Sequence, residues 1–304
     1  MPLPAGAPAP WFKAPTHSRP DYAFSSLGGR YVLLAFLPAD GAEADRAVAC
    51  LEAHKDLFDD LRRVAFGVVR DPERFARLRE QAPGRRWFFD PDGEISRMFE
   101  LLDEAGATVA QWVLIDPMLR ILYSASFADT DRVFQDLAAR GDPEAHAGAP
   151  LHAPVLIVPR IFEPAICQRL IDHYEADGGR VSGVMREVDG RTVPVVDDFK
   201  KRRDADILDE AFRNELRTRI RVRLLPQIER AFQFKVTRME RYIVARYAAE
   251  EGGYFRAHRD NTTKGTAHRK FACSINLNAE AFEGGDLRFP EFGSRTYRPP
   301  TGGR

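Results

Sequence analysis

The sequence contains few cysteines: Cys50, Cys167 and Cys273 are the only three in 304 residues. They lie far apart, so they form neither a Cys-x-x-Cys redox pair nor the closely spaced set of a zinc site. A small, odd number of cysteines also argues against a disulfide framework and is typical of proteins in a reducing compartment.

The chain has no excess of charge and no long hydrophobic run. Its 45 basic and 45 acidic side chains give a formal net charge of zero, which argues against a nucleic-acid binder that works by overall electrostatics. The longest strongly apolar run, at residues 31–39, is well short of the ~18 residues of a membrane span. No secretory signal peptide is visible, so we expect a cytoplasmic protein that does not bind membranes.

Length and hydrophobic patterning predict two domains. Residues 1–140 alternate apolar strands at Tyr31–Leu37, Val64–Val69 and Gln111–Ile115 with helical periodicity, which predicts a three-layer α/β fold with a partly parallel sheet. Residues 141–153 have no periodicity and form the predicted linker. Residues 154–304 begin with helices and continue with short strands, among them Phe271–Leu277, which predicts an α+β domain of the jelly-roll (double-stranded β-helix) type.

A possible metal-ligand pair lies at His258 and Asp260. In an extended strand, residues i and i+2 point to the same face, so an imidazole nitrogen and a carboxylate oxygen could reach one ion. Two histidines and one carboxylate form the facial triad of non-haem Fe(II) oxygenases. The pattern alone is weak, because a surface strand with a histidine and a solvated aspartate looks the same.

The surrounding segments RYAAEEGGYFRAHRDN, KFACSINLN and EGGDLRFPEFG resemble the prolyl-4-hydroxylase-like 2-oxoglutarate/Fe(II) dioxygenases over about residues 153–304. The resemblance implies that His258 and Asp260 are catalytic iron ligands and that Tyr247 and Asn276 contact 2-oxoglutarate. It also places three further residues around the pocket or behind the ligands: Asn261, Tyr254 and Arg256.

This resemblance implies Fe(II) as cofactor, 2-oxoglutarate and O₂ as cosubstrates and L-ascorbate as reductant. The reaction would couple the decarboxylation of 2-oxoglutarate to succinate and CO₂ with hydroxylation of a C–H bond. The sequence leaves the substrate open between a prolyl residue, another protein residue and a small molecule.

The family pattern also needs a second histidine on a later strand, followed by a lysine or arginine that pairs with 2-oxoglutarate. The sequence ends at TYRPPTGGR without them, so we expect a truncated oxygenase whose activity is in doubt. His268 is either a replacement ligand or a solvated loop residue. Four arginines could replace the missing cation, and the sequence singles out none of them: Arg288, Arg295, Arg298 and Arg304.

The N-terminal segments PAPWF, YVLLAFLPAD, VAFGVVRD and FFDPDGEISRMFELL resemble a peroxiredoxin-like domain of thioredoxin fold over about residues 5–140. In such domains the strand is followed by a threonine and then the peroxidatic cysteine, positions that Ala42 and Asp45 occupy here. Cys50 follows more than one helical turn later and is interpreted as a buried helix residue. We therefore expect a non-catalytic domain for binding, homo-oligomerisation or support of the oxygenase.

The basic run Lys200–Arg203 has two interpretations: a solvated helix face within a segment typical of the oxygenase family, which we favour, or a patch for an acidic partner or a nucleic acid. For the whole chain three functions stay open. They are a 2-oxoglutarate/Fe(II) dioxygenase, a non-catalytic scaffold built from a pseudo-peroxiredoxin and an impaired oxygenase domain, and, least favoured, a thiol peroxidase that uses Cys50.

Overall fold

The computed structural model describes residues 2–39, 41–188 and 190–303 and divides the chain into two compact units. The first unit is Met1–Ala153 with Phe289–Arg295, and the second is Pro154–Arg288 with Thr296–Arg304. The predicted linker, residues 141–153, therefore belongs to the first unit, where Pro143–Ala145 form a short 3₁₀ turn.

The first unit is built on one mixed sheet with helices between its strands. Its elements are β1 (Lys13–Ala14), β2 (Tyr22–Ala23), β3 (Tyr31–Phe36), α1 (Gly41–Ala53), β4 (Arg63–Val69), α2 (Pro72–Arg77), β5 (Arg85–Phe89), α3 (Glu94–Met98), β6 (Gln111–Ile115), β7 (Ile121–Ser126) and α4 (Thr130–Ala139).

The central sheet has the strand order β5-β4-β3-β6-β7. Strands β3, β4 and β5 run parallel, whereas β6 and β7 each run antiparallel to their neighbour in the order. The apolar run in β3 is buried on both sides: Val32 and Leu34 face one core, and Leu33 and Ala35 face the other. Two cores on opposite faces confirm the three layers and the partly parallel sheet predicted from the uninterrupted apolar strands.

The second unit combines three helices with short strands. Its elements are α5 (Pro164–Asp177), β8 (Arg180–Val181), β9 (Val184–Val188), β10 (Arg191–Val195), β11 (Lys200–Lys201), β12 (Arg203–Asp206), α6 (Glu210–Arg223), α7 (Leu225–Phe232), β13 (Ile243–Arg246), β14 (Tyr254–Phe255), β15 (Leu287–Arg288) and β16 (Thr296–Tyr297).

The core of the second unit lies between α5, α6, α7 and the strands β12 and β13. Local sequence signals set the helix ends. Pro164 occupies the first turn of α5, where its missing N–H costs nothing, and Gly178 ends the helix in the left-handed region at φ 78°. Asp209 caps α6 by accepting a hydrogen bond from the backbone N–H of Phe212.

The described strands of the second unit do not form the two large facing sheets of a jelly roll. They make one three-stranded sheet, β13-β12-β8, and the pairs β10-β9, β11-β14 and β15-β16. The predicted strand at residues 271–277 has no strand assignment. Its alternating Phe271, Ile275 and Leu277 pack against the helical core, so the apolar pattern indicated burial rather than strand pairing.

Candidate metal-binding site

A tight Gly-Gly turn positions the segment that carries His258 and Asp260. After β13, Gly252 adopts φ 60°, and a side chain at Gly253 would lie 3.0 Å from the backbone of Tyr247 and Ala248. The backbone N–H of Gly253 donates to the carbonyl of Ala248 over 2.9 Å. Glycine favours such a close turn, which sends the chain back as β14.

Strand β14 pairs antiparallel with β11, and Phe255 lies opposite Lys200 in the register. The backbone N–H of Arg256 continues the pairing by donating to the carbonyl of Phe199 over 3.1 Å. This short ladder fixes the start of the loop in which His258 and Asp260 lie.

The side chains of His258 and Asp260 face each other, with Nε2 and Oδ1 3.2 Å apart. The other ring nitrogen of His258, Nδ1, lies 2.7 Å from the carbonyl oxygen of Arg256. Because a carbonyl oxygen only accepts hydrogen bonds, Nδ1 carries the hydrogen and donates it. In neutral imidazole Nε2 then presents its lone pair to a carboxylate, and two acceptors at this distance need a cation between them, either a proton or a metal ion.

The same geometry fits two neighbouring ligands of a divalent metal ion. Donors about 2.1 Å from an ion and at right angles around it are about 3 Å apart, close to the observed 3.2 Å. A histidine that donates its other ring hydrogen to a carbonyl is also the usual arrangement of a metal-binding histidine. The residues present therefore fit two protein ligands of one ion.

Positive groups surround Asp260. The contact with His258, together with the charges of Arg269 and Arg202, lowers the pKa of Asp260 against the opposing effect of burial. Nη1 of Arg269 also donates to the backbone carbonyl of Asp260 over 3.4 Å. Asp260 is thus held as a carboxylate, the form that binds metal ions.

The basic run forms one wall of this site, which sequence reasoning missed. The favoured interpretation of Lys200–Arg203 as a solvated helix face is wrong, because Lys200 and Lys201 form β11, Arg203 begins β12, and only 6% of Lys200 is exposed. Alternation in a strand places Lys200, Arg202 and Asp204 on one face. This i, i+2, i+4 pattern was the available signal.

A polar network ties this wall together. Nζ of Lys200 donates to Oγ of Ser182 over 2.5 Å and to the carbonyl of Gly183 over 3.1 Å. Arg202 donates to both carboxylate oxygens of Asp204, over 2.7 and 2.8 Å. Burial, together with the charge of Arg202, lowers the pKa of Lys200 to about 8.

The sequence resemblance assigns Tyr247 and Asn276 to 2-oxoglutarate contact. Of these two residues, only Tyr247 contacts this wall. Its ring lies 5.7 Å from the guanidinium of Arg202, and its hydroxyl oxygen lies 3.4 Å from Nη1 of that residue. Nδ2 of Asn276 instead donates to the carbonyl of Pro299 over 2.8 Å. The backbone carbonyl of Asn276 accepts from Gly302 over 2.8 Å, so Asn276 holds the Pro-Pro-Thr-Gly-Gly turn in place.

Tyr254 and Arg256 lie against Asp198. The hydroxyl of Tyr254 donates to the carbonyl of Asp198, and Arg256 forms an ion pair with the Asp198 carboxylate at 3.6 Å. Phe255, between them, contacts Lys200 and His258 instead. Asn261 is exposed in the turn after Asp260.

The described residues provide no third ligand: within residues 2–39, 41–188 and 190–303 no group of three or more His, Cys, Asp or Glu side chains is placed to hold a metal ion. Nε2 of His268 pairs with Glu240, and 62% of its side chain is exposed. Of the four candidate cations, Arg298 binds Asp286, Arg295 contacts His152, and Arg288 is exposed. Arg304 lies outside the described residues.

In the first unit the residue that the sequence resemblance aligns with a peroxidatic cysteine forms an ion pair. Asp45, on α1, accepts a hydrogen bond from Nη1 of Arg74 over 2.5 Å. Cys50 lies later on α1, with Sγ 3.6 Å from Nδ1 of His54. Burial, together with the charge of Asp131, raises the pKa of the Cys50 thiol, which disfavours the reactive thiolate.

No family model matches the chain, and no curated protein matches it. Solved structures are similar to roughly its first half. Mycobacterium tuberculosis AhpC is 16% identical with a TM-score of 0.35, over 46% of this chain and 93% of its own. A 2-Cys peroxiredoxin of Plasmodium vivax is 19% identical with a TM-score of 0.36, over 43% and 97%. A putative protein disulfide isomerase of Bacteroides thetaiotaomicron is 22% identical with a TM-score of 0.39, over 48% and 94%.

With TM-scores below 0.5, these similarities carry no argument about the fold or the activity of this chain. The first unit is a thioredoxin-like domain by its own architecture, a mixed β5-β4-β3-β6-β7 sheet covered on both faces. Within the part of the chain that the structure describes, no helix combines the length and the apolar character that crossing a bilayer requires.

Proposed function

We propose that the second unit is the metal-binding part of a 2-oxoglutarate- and Fe(II)-dependent dioxygenase that hydroxylates a C–H bond. One observation carries the proposal: Nε2 of His258 faces Oδ1 of Asp260 at 3.2 Å while Nδ1 is committed to the Arg256 carbonyl. The prolyl-4-hydroxylase-like sequence around this pair supplies the reaction class.

In this proposal His258 and Asp260 hold the ion, and the Arg256 carbonyl keeps the imidazole in the tautomer that leaves Nε2 open. The contact with His258 and the charges of Arg269 and Arg202 lower the pKa of Asp260 and keep it ionised. Bound Fe(II) would supply the chemistry of O₂ activation, with 2-oxoglutarate as cosubstrate and ascorbate as reductant. Water or cosubstrate would fill the remaining metal positions, and the substrate is a prolyl residue or another molecule with a hydroxylatable C–H bond.

The first test measures the metal alone. Co(II) or anaerobic Fe(II) is titrated into the full-length wild type and into three variants. His258→Ala and Asp260→Asn remove the proposed ligands. His268→Ala is the control, because it removes an exposed histidine paired with Glu240. We expect binding with one ion per chain, lost in the first two variants and kept in the control. Equal binding in all four proteins would contradict the proposal.

The second test measures turnover. The chain is incubated with Fe(II), ascorbate, O₂ and 2-oxoglutarate, and succinate is quantified beside His258→Ala. Succinate that depends on His258 supports the enzyme. Metal binding without succinate, in a folded chain, favours the second candidate below.

The second candidate is a non-catalytic scaffold built from a pseudo-peroxiredoxin and an impaired oxygenase domain. Two observations favour it: no third ligand exists among the residues that the structure describes, and Asp45 pairs with Arg74 at the peroxidatic position. In both candidates we propose that the first unit supports homo-oligomer formation. Light-scattering mass measurement of the full chain tests this, and a monomer at all concentrations would exclude it.

A further inference from the structure

The imidazole of His258 lies on the ring of Phe255. The two ring centroids are 3.7 Å apart and their planes differ by 25°, a close stacked contact. Phe199 meets both rings edge-on, with centroids 6.1 Å from Phe255 and 6.3 Å from His258. This aromatic group fixes the plane of an imidazole that otherwise sits in an exposed loop.

Two independent contacts therefore orient His258. The hydrogen bond to the Arg256 carbonyl decides which ring nitrogen is open. It leaves the ring free to swing about that bond, whereas the stack against Phe255 restricts this swing. Together they aim Nε2 at Asp260.

Phe255 is itself held from the opposite strand. In the β11–β14 register Phe255 faces Lys200, whose Nζ lies 4.9 Å from the centre of the Phe255 ring. Lys200 is buried and anchored by its bonds to Ser182 and Gly183. A cation near an aromatic ring with restricted solvent access is attracted to the ring face, so Lys200 restrains Phe255.

We propose that Phe255, restrained by Lys200, is a positioning residue that keeps Nε2 of His258 directed at Asp260 before a metal ion binds. The step from orientation to metal affinity rests on the proposed function, but the orientation itself does not. Removing an outer contact of a metal-binding histidine typically weakens metal affinity about 10–100-fold, because the free ligand must then be ordered by the ion.

The test compares Phe255→Leu, which removes the ring but keeps an apolar side chain, with Phe255→Tyr, which restores the ring. Phe271→Leu is the matched control, because Phe271 belongs to a separate aromatic group with Phe232 and Phe234 in the same unit. Co(II) affinity is measured for each protein by calorimetry and by the visible spectrum. We expect about a tenfold loss in Phe255→Leu, recovery in Phe255→Tyr and no change in Phe271→Leu.

A second readout uses the metal-free protein. The ring protons of His258, assigned by their absence in His258→Ala, should show a ring-current shift in NMR spectra that Phe255→Leu removes and Phe255→Tyr keeps. Lys200→Met, which retains the apolar stem, should reduce this shift even if Phe255→Leu fails to fold.

The outcomes separate the two proposals. A ring-current shift in a wild-type protein that binds no Co(II) overturns the metal site and leaves the orientation standing. Co(II) binding that is equal in the wild type and Phe255→Leu overturns the positioning role. Absence of the shift in the wild-type protein overturns it as well.

Discussion

Nη1 of Arg74 lies 2.5 Å from the carboxylate of Asp45, so the helix position where a peroxiredoxin-like domain would carry its thiol holds an ion pair. The side chain of Arg74 is 12% exposed, whereas that of Asp45 is 74% exposed. A carboxylate cannot attack a peroxide as a thiolate can, so Asp45 does not supply a peroxide-reducing nucleophile at this position.

Cys50 should not act as a peroxidase thiol. Burial and the charge of Asp131 raise its pKa, so little thiolate exists at neutral pH. We expect equal hydrogen peroxide consumption by the wild type and Cys50→Ser. Asp45→Cys is the positive control, because Arg74 would stabilise a thiolate there. Peroxide consumption that Cys50→Ser abolishes would restore the thiol-peroxidase hypothesis.

Acid should weaken the attachment of α5 to α6. Glu163 accepts hydrogen bonds from Arg223 and Arg219, which lower its pKa to about 2. A carboxyl with a lowered folded-state pKa stabilises the fold above its unfolded pKa of 4.5 and loses this contribution as the pH falls through about 2. Urea midpoints should therefore fall over this range in the wild type and less steeply in Glu163→Gln. Glu251→Gln, at an exposed turn, is the control. If the urea midpoint of Glu163→Gln fell with pH as steeply as that of the wild type, Glu163 would not be the source of the acid sensitivity.

Alkaline pH should destabilise the fold through ionisation of the Tyr123 hydroxyl. Its hydroxyl donates to Asp136 over 3.0 Å, and burial with this contact raises its pKa to about 12. The unfolded chain loses the proton near 10, so this contribution to stability is present below pH 10 and is lost as the pH rises to about 12. The absorbance difference at about 295 nm between the wild type and Tyr123→Phe should show ionisation near pH 12; a step near pH 10 would contradict it.

Lys200 should make the fold more stable in mild alkali. Its pKa is lowered from 10.5 to about 8, mainly by burial. Between pH 8 and 10.5 the unfolded chain binds more protons at this lysine than the folded chain does. The free energy of unfolding therefore rises with pH across this range, and the gain is lost as the pH falls through about 8. Urea midpoints from pH 8 to 10.5 should show this rise in the wild type and in Lys201→Met, an exposed neighbour, and less of it in Lys200→Met. The same rise in Lys200→Met would refute the role of the buried amine.

The first unit depends on its doubly buried strand. Leu34 is 0% exposed at the centre of β3, and Leu→Ala at such a site costs about 2–5 kcal/mol in the free energy of unfolding. Leu61→Ala removes the same groups from a side chain that is 78% exposed and should change little. Urea unfolding followed by circular dichroism compares the two, and similar losses would argue against this core.

Sequence periodicity predicted the first unit well and the second unit only in part. Apolar runs identified β3, β4 and β6, since strands buried on both faces need no alternation. In the second unit the apolar residues at 271–277 predicted a strand, but those side chains pack against the core formed by α5, α6, α7, β12 and β13 and have no strand assignment. Periodicity reports burial and does not reveal what covers the buried side.

The sequence alone determined what depends on neighbours along the chain. It set the helix starts at Pro164 and Asp209 and the closeness of His258 to Asp260, two positions apart. Only the tertiary structure decided which distant residues surround that pair. The β11–β14 register brings Lys200 to Phe255 and Phe255 to His258, and the last turn takes Asn276 to Pro299. Contacts between distant segments depend on pairing and packing across the whole chain, which no local spacing encodes.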